Sequence, residues 1–199
     1  MKTTIIDLKN EALNQHVPII SDDGLLFLLN AIKEYQVKTV LEIGCAVGYS
    51  AIQMALVGTL VTTIERDEEM KNKALINIDK MGLTDKITVV YRDALDETLV
   101  FDQKFDMIFI DAAKAQYGAF FNKYEPYLSD TGIIVTDNLN FHNLNPNKVS
   151  RSTKRLISRL NDFKLDLGLN ENFKTSFSDI GDGMSISRRQ KNEKNSNTI

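Results

Sequence analysis

The residues that could do chemistry stand at the ends of apolar runs. In residues 40–50, an apolar run carrying Glu42 gives way to Gly44-Cys45-Ala46-Val47-Gly48 and then to Tyr49-Ser50. Gly44 and Gly48 permit a tight turn, and their missing Cβ atoms let a ligand come close. A helix starting at that turn would aim its free N–H groups and positive dipole end at it, a seat for an anionic group. The alternative is a tight strand-to-helix connection that holds nothing, and this stretch alone leaves both open. Glu65 closes the next apolar run, about twenty residues beyond the glycine turn, where doubly wound folds place the acid that binds ribose hydroxyls. Ala46 stands where the dinucleotide fingerprint G-x-G-x-x-G needs its second glycine, which disfavours NAD.

Two further runs end in oxygen-bearing side chains. Residues 105–111 end in Asp111, and residues 132–137 end in Asp137 and are followed by Asn138. If these are neighbouring strands, two carboxylates and an amide converge. Such hard oxygen donors suit Mg²⁺ or Ca²⁺ rather than thiol-loving metals. Successive strand residues point to opposite faces. Asp137 and Asn138 can therefore share an ion only if the strand has already ended and bent. The alternative has Asn138 capping the strand and Asp137 accepting backbone hydrogen bonds.

The elements that would position these residues alternate. Apolar runs at 37–43, 60–65, 87–91, 105–111 and 132–137 read as strands, the central ones nearly all apolar and so covered on both faces. Helical stripes lie at 5–16, 22–35, 49–57, 67–81 and 115–127, with Ser21 as an N-cap and Gly82 as a helix stop. This βα repetition calls for a doubly wound, mostly parallel sheet with helices on both faces. A long helix follows from about 147 to about 165. Residues 173–178 and 184–188, joined at Gly181-Asp182-Gly183, read as a hairpin that makes the last strand antiparallel. No repeat or linker divides the chain. One domain over 1–189 is expected, with a disordered polar tail at 190–199.

Composition narrows the classes. The 199 residues suit one domain with a real core, and a net charge of −3 gives no overall basic field for nucleic acid. A basic surface must then be local: Lys148, Arg151, Arg155 and Arg159 share one helical face, Lys154 lies on the same helix, and Arg188 and Arg189 are on the last strand. A solvated helix face explains that spacing equally well. The single cysteine, Cys45, rules out an internal disulfide and fits a reducing cytoplasm. With no basic partner nearby in sequence, Cys45 reads as a packing residue rather than a nucleophile. Neither a signal peptide nor a membrane-spanning run is visible.

Four motifs taken together carry a resemblance. Leu-Glu-Ile-Gly-x-x-x-Gly-Tyr-Ser (41–50), Ile-Glu-Arg-Asp (64–67), Asp-Ala-Ala-Lys-x-x-Tyr (111–117) and Thr-Asp-Asn (136–138) resemble the cation-dependent, S-adenosylmethionine (SAM)-using class I O-methyltransferases. That family includes catechol and caffeoyl-CoA methyltransferases, and the likeness spans about residues 17–189. It implies a seven-stranded Rossmann-like methyltransferase fold with an antiparallel last strand. It implies SAM bound by Glu42, Gly44 and Ser50 near the amino-acid end, with Glu65 on the ribose. Asp93 and Ala94 would lie on the adenine side, Ile20 would form the outer wall, and Asp111 would close the site. The same resemblance implies Mg²⁺ on Asp111, Asp137 and Asn138, with Lys114 as general base. It leaves Tyr117 between pocket lining and packing, and His142 between substrate contact and exposure. Val-Pro-Ile-Ile (17–20) and the ending Gly-Asp-Gly-Met-Ser-Ile-Ser-Arg-Arg (181–189) are most similar to a short bacterial branch. That branch converts 5-hydroxyuridine at the tRNA wobble position to 5-methoxyuridine. Residues 139–144 depart from its pattern, and they would border the substrate. The expected substrate is thus a tRNA anticodon loop, with a small catechol or phenol as the alternative. A SAM-binding protein without catalysis is a third reading. The resemblance also implies a homodimer.

Overall fold

The computed structural model describes residues 3–140 and 149–190. Strands β1 (Thr39–Ile43), β2 (Leu60–Glu65), β3 (Ile87–Tyr91), β4 (Phe105–Ile110), β5 (Leu128–Thr136), β6 (Phe173–Ser178) and β7 (Met184–Arg189) form one sheet. Their order is β3-β2-β1-β4-β5-β7-β6. Strands β1 to β5 pair in parallel, whereas β7 runs antiparallel to both β5 and β6. The expected fold is therefore present: a seven-stranded, mostly parallel sheet with an antiparallel last strand. The chain order reverses between β1 and β4, the crevice where open α/β sheets bind ligands.

Strand alternation splits the core into two layers. Val40, Met107, Phe109, Ile133 and Val135 face helices α1 (Ile5–Asn14), α2 (Asp22–Glu34), α3 (Tyr49–Leu56) and α4 (Glu68–Lys80). Leu41, Ile43, Ile108, Ile110 and Ile134 face α5 (Tyr117–Tyr124) and α6 (Arg151–Leu169). Because side chains alternate with period two, only strands apolar at every position can serve both layers. Short polar side chains start the helices. Ser21, Asp67 and Ser150 accept from the backbone N–H groups of Gly24, Met70 and Thr153 at 3.2, 3.0 and 3.2 Å. Gly82 takes the left-handed φ of 68° that ends α4. No helix among the described residues is long and apolar enough to cross a membrane.

Some element boundaries differ from the sequence reading. The stripe at 115–127 is three pieces: a 3₁₀ turn over Lys114–Gln116, α5, and a second 3₁₀ turn over Glu125–Tyr127. Pro126 has no N–H to give, so α5 cannot continue through it. Strand β5 begins earlier than expected, at Leu128, and ends at Thr136, leaving Asp137 beyond the ladder. Gln190, placed in the tail by sequence, donates its backbone N–H to Asn172. The expectations for His142, for Lys148 and for 191–199 lie outside the described residues.

The glycine turn is fixed by crowding. Gly44 has φ 99°, and a Cβ built there would run into the backbone carbonyl of Asp111. Gly48 has φ 81°, and its Cβ would lie 3.2 Å from the Ala74 Cβ. Gly44→Ala should therefore destabilise the fold by more than the roughly 1–3 kcal/mol of backbone strain, and by more than Gly48→Ala. Urea unfolding of both variants checks the order; an equal or larger loss for Gly48→Ala would show that the Asp111 contact is not the tighter constraint.

Candidate active site

A cavity of about 380 Å³ opens at the carboxyl ends of β1, β2 and β4. Ile20, Gly44, Ser50 and Glu65 line it, as do Asp93 and Ala94 on one side and Asp111, Lys114 and Asn138 on the other. Nine of the residues singled out by sequence thus meet at one site. Glu42 and Asp137 do not line the cavity. They lie beneath it, at 0% and 3% exposure.

Glu42 sits on the α3 side of β1, directly opposite Thr63 of β2. The Ser50 hydroxyl donates to Glu42 Oε1 at 2.5 Å and the Thr63 hydroxyl to Oε2 at 2.6 Å. Burial is the main force on this acid and raises its pKa to about 7, with the charges of Asp111 and Glu65 adding to the rise and the two hydroxyls opposing it. Ser50 therefore bridges a buried acid and the cavity. Cys45, next to Gly44, is 3% exposed, and burial pushes its thiol well above the usual range, as a packing residue requires.

Glu65 holds the turn itself. Its Oε2 accepts from the backbone N–H groups of Cys45 and Ala46 at 3.3 and 2.8 Å, and its Oε1 from those of Arg66 and Asp67 at 2.8 Å each. A carboxylate offers about four lone-pair positions, so the acid expected on the ribose already ties two loops together. Ala46 takes a left-handed φ of 44° to present its N–H. Asp93 accepts from the Leu95 N–H at 2.8 Å and pairs with Arg66 at 3.5 Å, an exposed contact of little energetic weight. The Ala94 carbonyl accepts the Tyr124 hydroxyl at 2.6 Å.

The end of β5 bends as a shared site would require. One residue past the strand, Asp137 still donates its N–H to the Ile110 carbonyl at 3.2 Å. Asn138 then turns into the left-handed region, φ 62°, and its amide Nδ2 donates to Asp111 Oδ1 at 3.1 Å. Such strain in a non-glycine residue persists only where its surroundings enforce it. Burial raises the pKa of Asp111, with the Lys114 charge and the Asn138 amide opposing. Burial raises Asp137 to about 7, and the Asp111 charge is the next cause. Two like charges in one dry corner favour a shared proton or a cation. No cluster of three or more His, Cys, Asp or Glu side chains with metal-holding geometry is found among the described residues. The set here is two carboxylates and an amide, and its donors suit a hard divalent cation.

Sequence reasoning missed Asp182. It lines the cavity, and its charge adds to the rise at Asp137. The signal was topological. Because β7 is antiparallel to β5 with Ser185 opposite Thr136, the turn before β7 must arrive at the carboxyl end of β5. There Asn140 and Leu139 donate their N–H groups to Asp182 and Gly183 at 2.7 and 2.9 Å. Arg66 and Arg92, also unforeseen, line the opposite side of the cavity.

A profile of the O-methyltransferase family matches residues 3–190. The chain belongs to that family. Two thirds or more of each partner is shared with a caffeoyl-CoA O-methyltransferase of Populus kitakamiensis, 29% identical over 87% of this chain and 77% of the relative. A catechol O-methyltransferase of Niastella koreensis is 40% identical over 52% of this chain and 50% of its own. A solved structure from Staphylococcus aureus, assigned provisionally as a caffeoyl-CoA O-methyltransferase, is 34% identical with a TM-score of 0.89, covering 94% of this chain and 93% of the other. An O-methyltransferase of Bacillus cereus solved with S-adenosylhomocysteine shares the fold at 22% identity and a TM-score of 0.80, over 94% and 90% of the two chains. By family and fold this protein is a SAM-dependent O-methyltransferase.

Glu42 gives the methyltransferase a pH signature. An acid whose pKa rises from 4.5 to about 7 on folding favours the fold when protonated. That contribution is complete below the unfolded value and is lost as pH rises through the folded one, on the order of 3 kcal/mol in all. Glu42→Gln cannot ionise, so it should gain on the wild type between about pH 5 and about pH 8. Chemical denaturation across that range, without divalent cations, measures the gap; a gap that stays constant would mean that Glu42 does not titrate there.

Proposed function

We propose that this methyltransferase acts on a hydroxyl with a second oxygen beside it, as on a catechol or related phenol, and uses a divalent cation. The observation that carries the reading is the Asp111–Asp137 pair, drawn together with Asn138 and Lys114 at one end of the cavity. The cavity lies in the ordinary size range for small-molecule sites. The open first turn of α3, with no side-chain cap, suits the anionic end of an amino acid. These features fit SAM and Mg²⁺.

A divalent cation held by Asp111, Asp137 and Asn138 would make the substrate hydroxyl more acidic, and the sulfonium of SAM would offer the methyl group. The chain's residues do the rest. Lys114 would take the hydroxyl proton at Nζ, freeing the oxygen to accept the methyl group. Gly44 and Ser50 hold the cofactor's amino-acid end, while Ile20, Asp93 and Ala94 shape the cavity around its other end. Glu65 fixes the turn that would meet the ribose. Holding both reactants in line supplies much of the remaining rate.

A second reading keeps 5-hydroxyuridine in tRNA. Its support is the exposed basic face of α6, with Arg151, Lys154, Arg155 and Arg159, on a helix that packs against the Lys114–Gln116 turn. Phosphates could track such a face, and O4 and O5 of the base form the same paired-oxygen pattern as a catechol. The relatives named for phenolic substrates favour the first reading.

Glu65→Ala should weaken SAM binding by about 5- to 150-fold, the equivalent of 1–3 kcal/mol; unchanged affinity by calorimetry would remove Glu65 from the cofactor site. Lys114→Ala should lower kcat by about 10²–10⁴-fold with SAM affinity intact. Asp111→Ala and Asp137→Ala should abolish turnover while circular dichroism stays native, and full activity in excess EDTA would reject the cation. Parallel assays on a simple catechol and on tRNA carrying 5-hydroxyuridine separate the two substrates. If tRNA alone is methylated, and replacing Arg151, Arg155 and Arg159 together flattens the salt dependence of its binding, the second reading replaces the first.

A further inference from the structure

Three buried hydroxyls have no hydrogen-bond partner among the described residues: Tyr117 Oη, Thr136 Oγ1 and Ser185 Oγ. Tyr117 is 1% exposed, and Thr136 and Ser185 are fully buried. They are not scattered. Thr136 and Ser185 stand opposite each other across the β5–β7 ladder. Thr136 shares its strand face with Ile134, which packs in the layer under α5 and α6 together with Tyr117. Met184 and Ile186 take the other face of β7. All three residues therefore lie on one side of the sheet, with Thr136 and Ser185 at the end of β5.

Opposed strand residues have Cβ atoms about 4.5–5.5 Å apart, a separation that one water spans. A buried hydroxyl that gives up hydration without a partner destabilises the fold, and native proteins satisfy such groups with ordered water. A buried water needs two to four polar partners; here three hydroxyls are available. The Tyr117 ring cannot swing away to find another partner, because it packs edge-to-face on Phe163 with centroids 5.9 Å apart.

The same place borders the acidic site. Thr136 precedes Asp137, and Tyr117 follows Lys114 by three residues. Burial pushes the Tyr117 hydroxyl well above its usual pKa, and the charges of Asp111 and Asp137 push it further, which puts Oη within their field.

We propose that Tyr117, Thr136 and Ser185 enclose an ordered water, and that through this set Tyr117 is a positioning residue for Asp111 and Asp137. The shared water stands on the hydroxyls alone. The positioning role rests on the cation-dependent function proposed above.

Tyr117→Phe, Thr136→Val and Ser185→Ala each delete one hydroxyl and nearly keep its shape. Thermal unfolding of the full chain in EDTA should show each single variant melting lower by roughly 2–4 °C. The Tyr117→Phe/Thr136→Val double variant should lose no more than the larger single one, because the first deletion already unseats the shared water. Additive losses, or a higher Tm after any deletion, overturn the shared water. Calorimetric titration with Mn²⁺ tests the second half: Tyr117→Phe should bind about tenfold more weakly, while Asp111→Ala should not bind. Wild-type affinity in Tyr117→Phe overturns the positioning role and leaves the cation reading standing. If the wild type itself does not bind Mn²⁺, the cation reading fails and the positioning role with it, while the melting data still decide the shared water.

Discussion

The backbone of Gly44 lies so close to the carbonyl of Asp111 that no side chain fits between them. That contact joins two ladder ends: Gly44 donates its N–H to Ile64 at 3.2 Å, and Asp111 donates to Ile43 at 3.0 Å. The turn proposed to cradle the cofactor is thereby fixed beside the acid proposed to meet the substrate. Everything else at the site follows from this proximity. Glu65 clamps the same turn from the β2 side through four backbone amides. Asn138 reaches Asp111 from the β5 side. Four neighbouring strands are thus locked together at their carboxyl ends by backbone contacts and short side chains rather than by long flexible ones.

Locking the ends together gathers acids. Burial pushes Glu42, Asp111 and Asp137 toward neutrality, and neighbouring acids add to the push at Glu42 and Asp137. A fold selected only for stability would replace them, since a buried carboxylate repays its lost hydration poorly. The chain holds Glu42 with two hydroxyls and gives Asp137 the Asn138 N–H, at 2.6 Å. The acid held by two hydroxyls is the one under the glycine turn. The two acids at the end of β4 and β5 remain in need of a positive partner, which Lys114 supplies in part. Of the four left-handed non-glycine residues among those described, His16 and Gln36 follow the ends of α1 and α2, while Ala46 and Asn138 fall at these same two places, where a ligand could repay the strain.

Much of this was legible in the chain because it is local. An apolar run that ends in an acid is a one-dimensional signal, and it located Glu65, Asp111 and Asp137 at strand ends. Family motifs added Ser50, Asp93 and Lys114, and the cavity brings these together with Gly44. What escaped was either a backbone matter or a long-range one. The four amides on Glu65 could not be foreseen, because side-chain patterns do not reveal which N–H groups a turn exposes. Pro126 did foretell the break after α5, but a helical stripe running to 127 masked it. Asp182 read as an ordinary turn residue, since its place depends on β7 pairing with β5 and not with its predecessor alone. The unpartnered hydroxyls of Thr136 and Ser185 are 49 residues apart in sequence and meet only through that pairing.

The returning β6–β7 hairpin also explains where substrate choice can reside. The side of the cavity proposed for the cofactor is built from β1, β2 and the turns after them, all anchored by the ladder. The opposite side is built from the segment after β5 and the turn before β7, and the two are sewn to each other: Leu139 and Asn140 donate to Gly183 and Asp182, and the Asn140 amide donates to Asp179 at 2.9 Å. Gly183, φ 86°, lies against Asn140 so closely that a Cβ would meet its amide at 2.6 Å. Sequence changes on this side can therefore alter the substrate rim without disturbing the glycine turn, whereas changes at Gly44 or Asp111 disturb both. A scaffold divided in this way can keep one methyl donor and exchange its acceptors, with Gly44, Asp111 and Asn138 meeting at the seam.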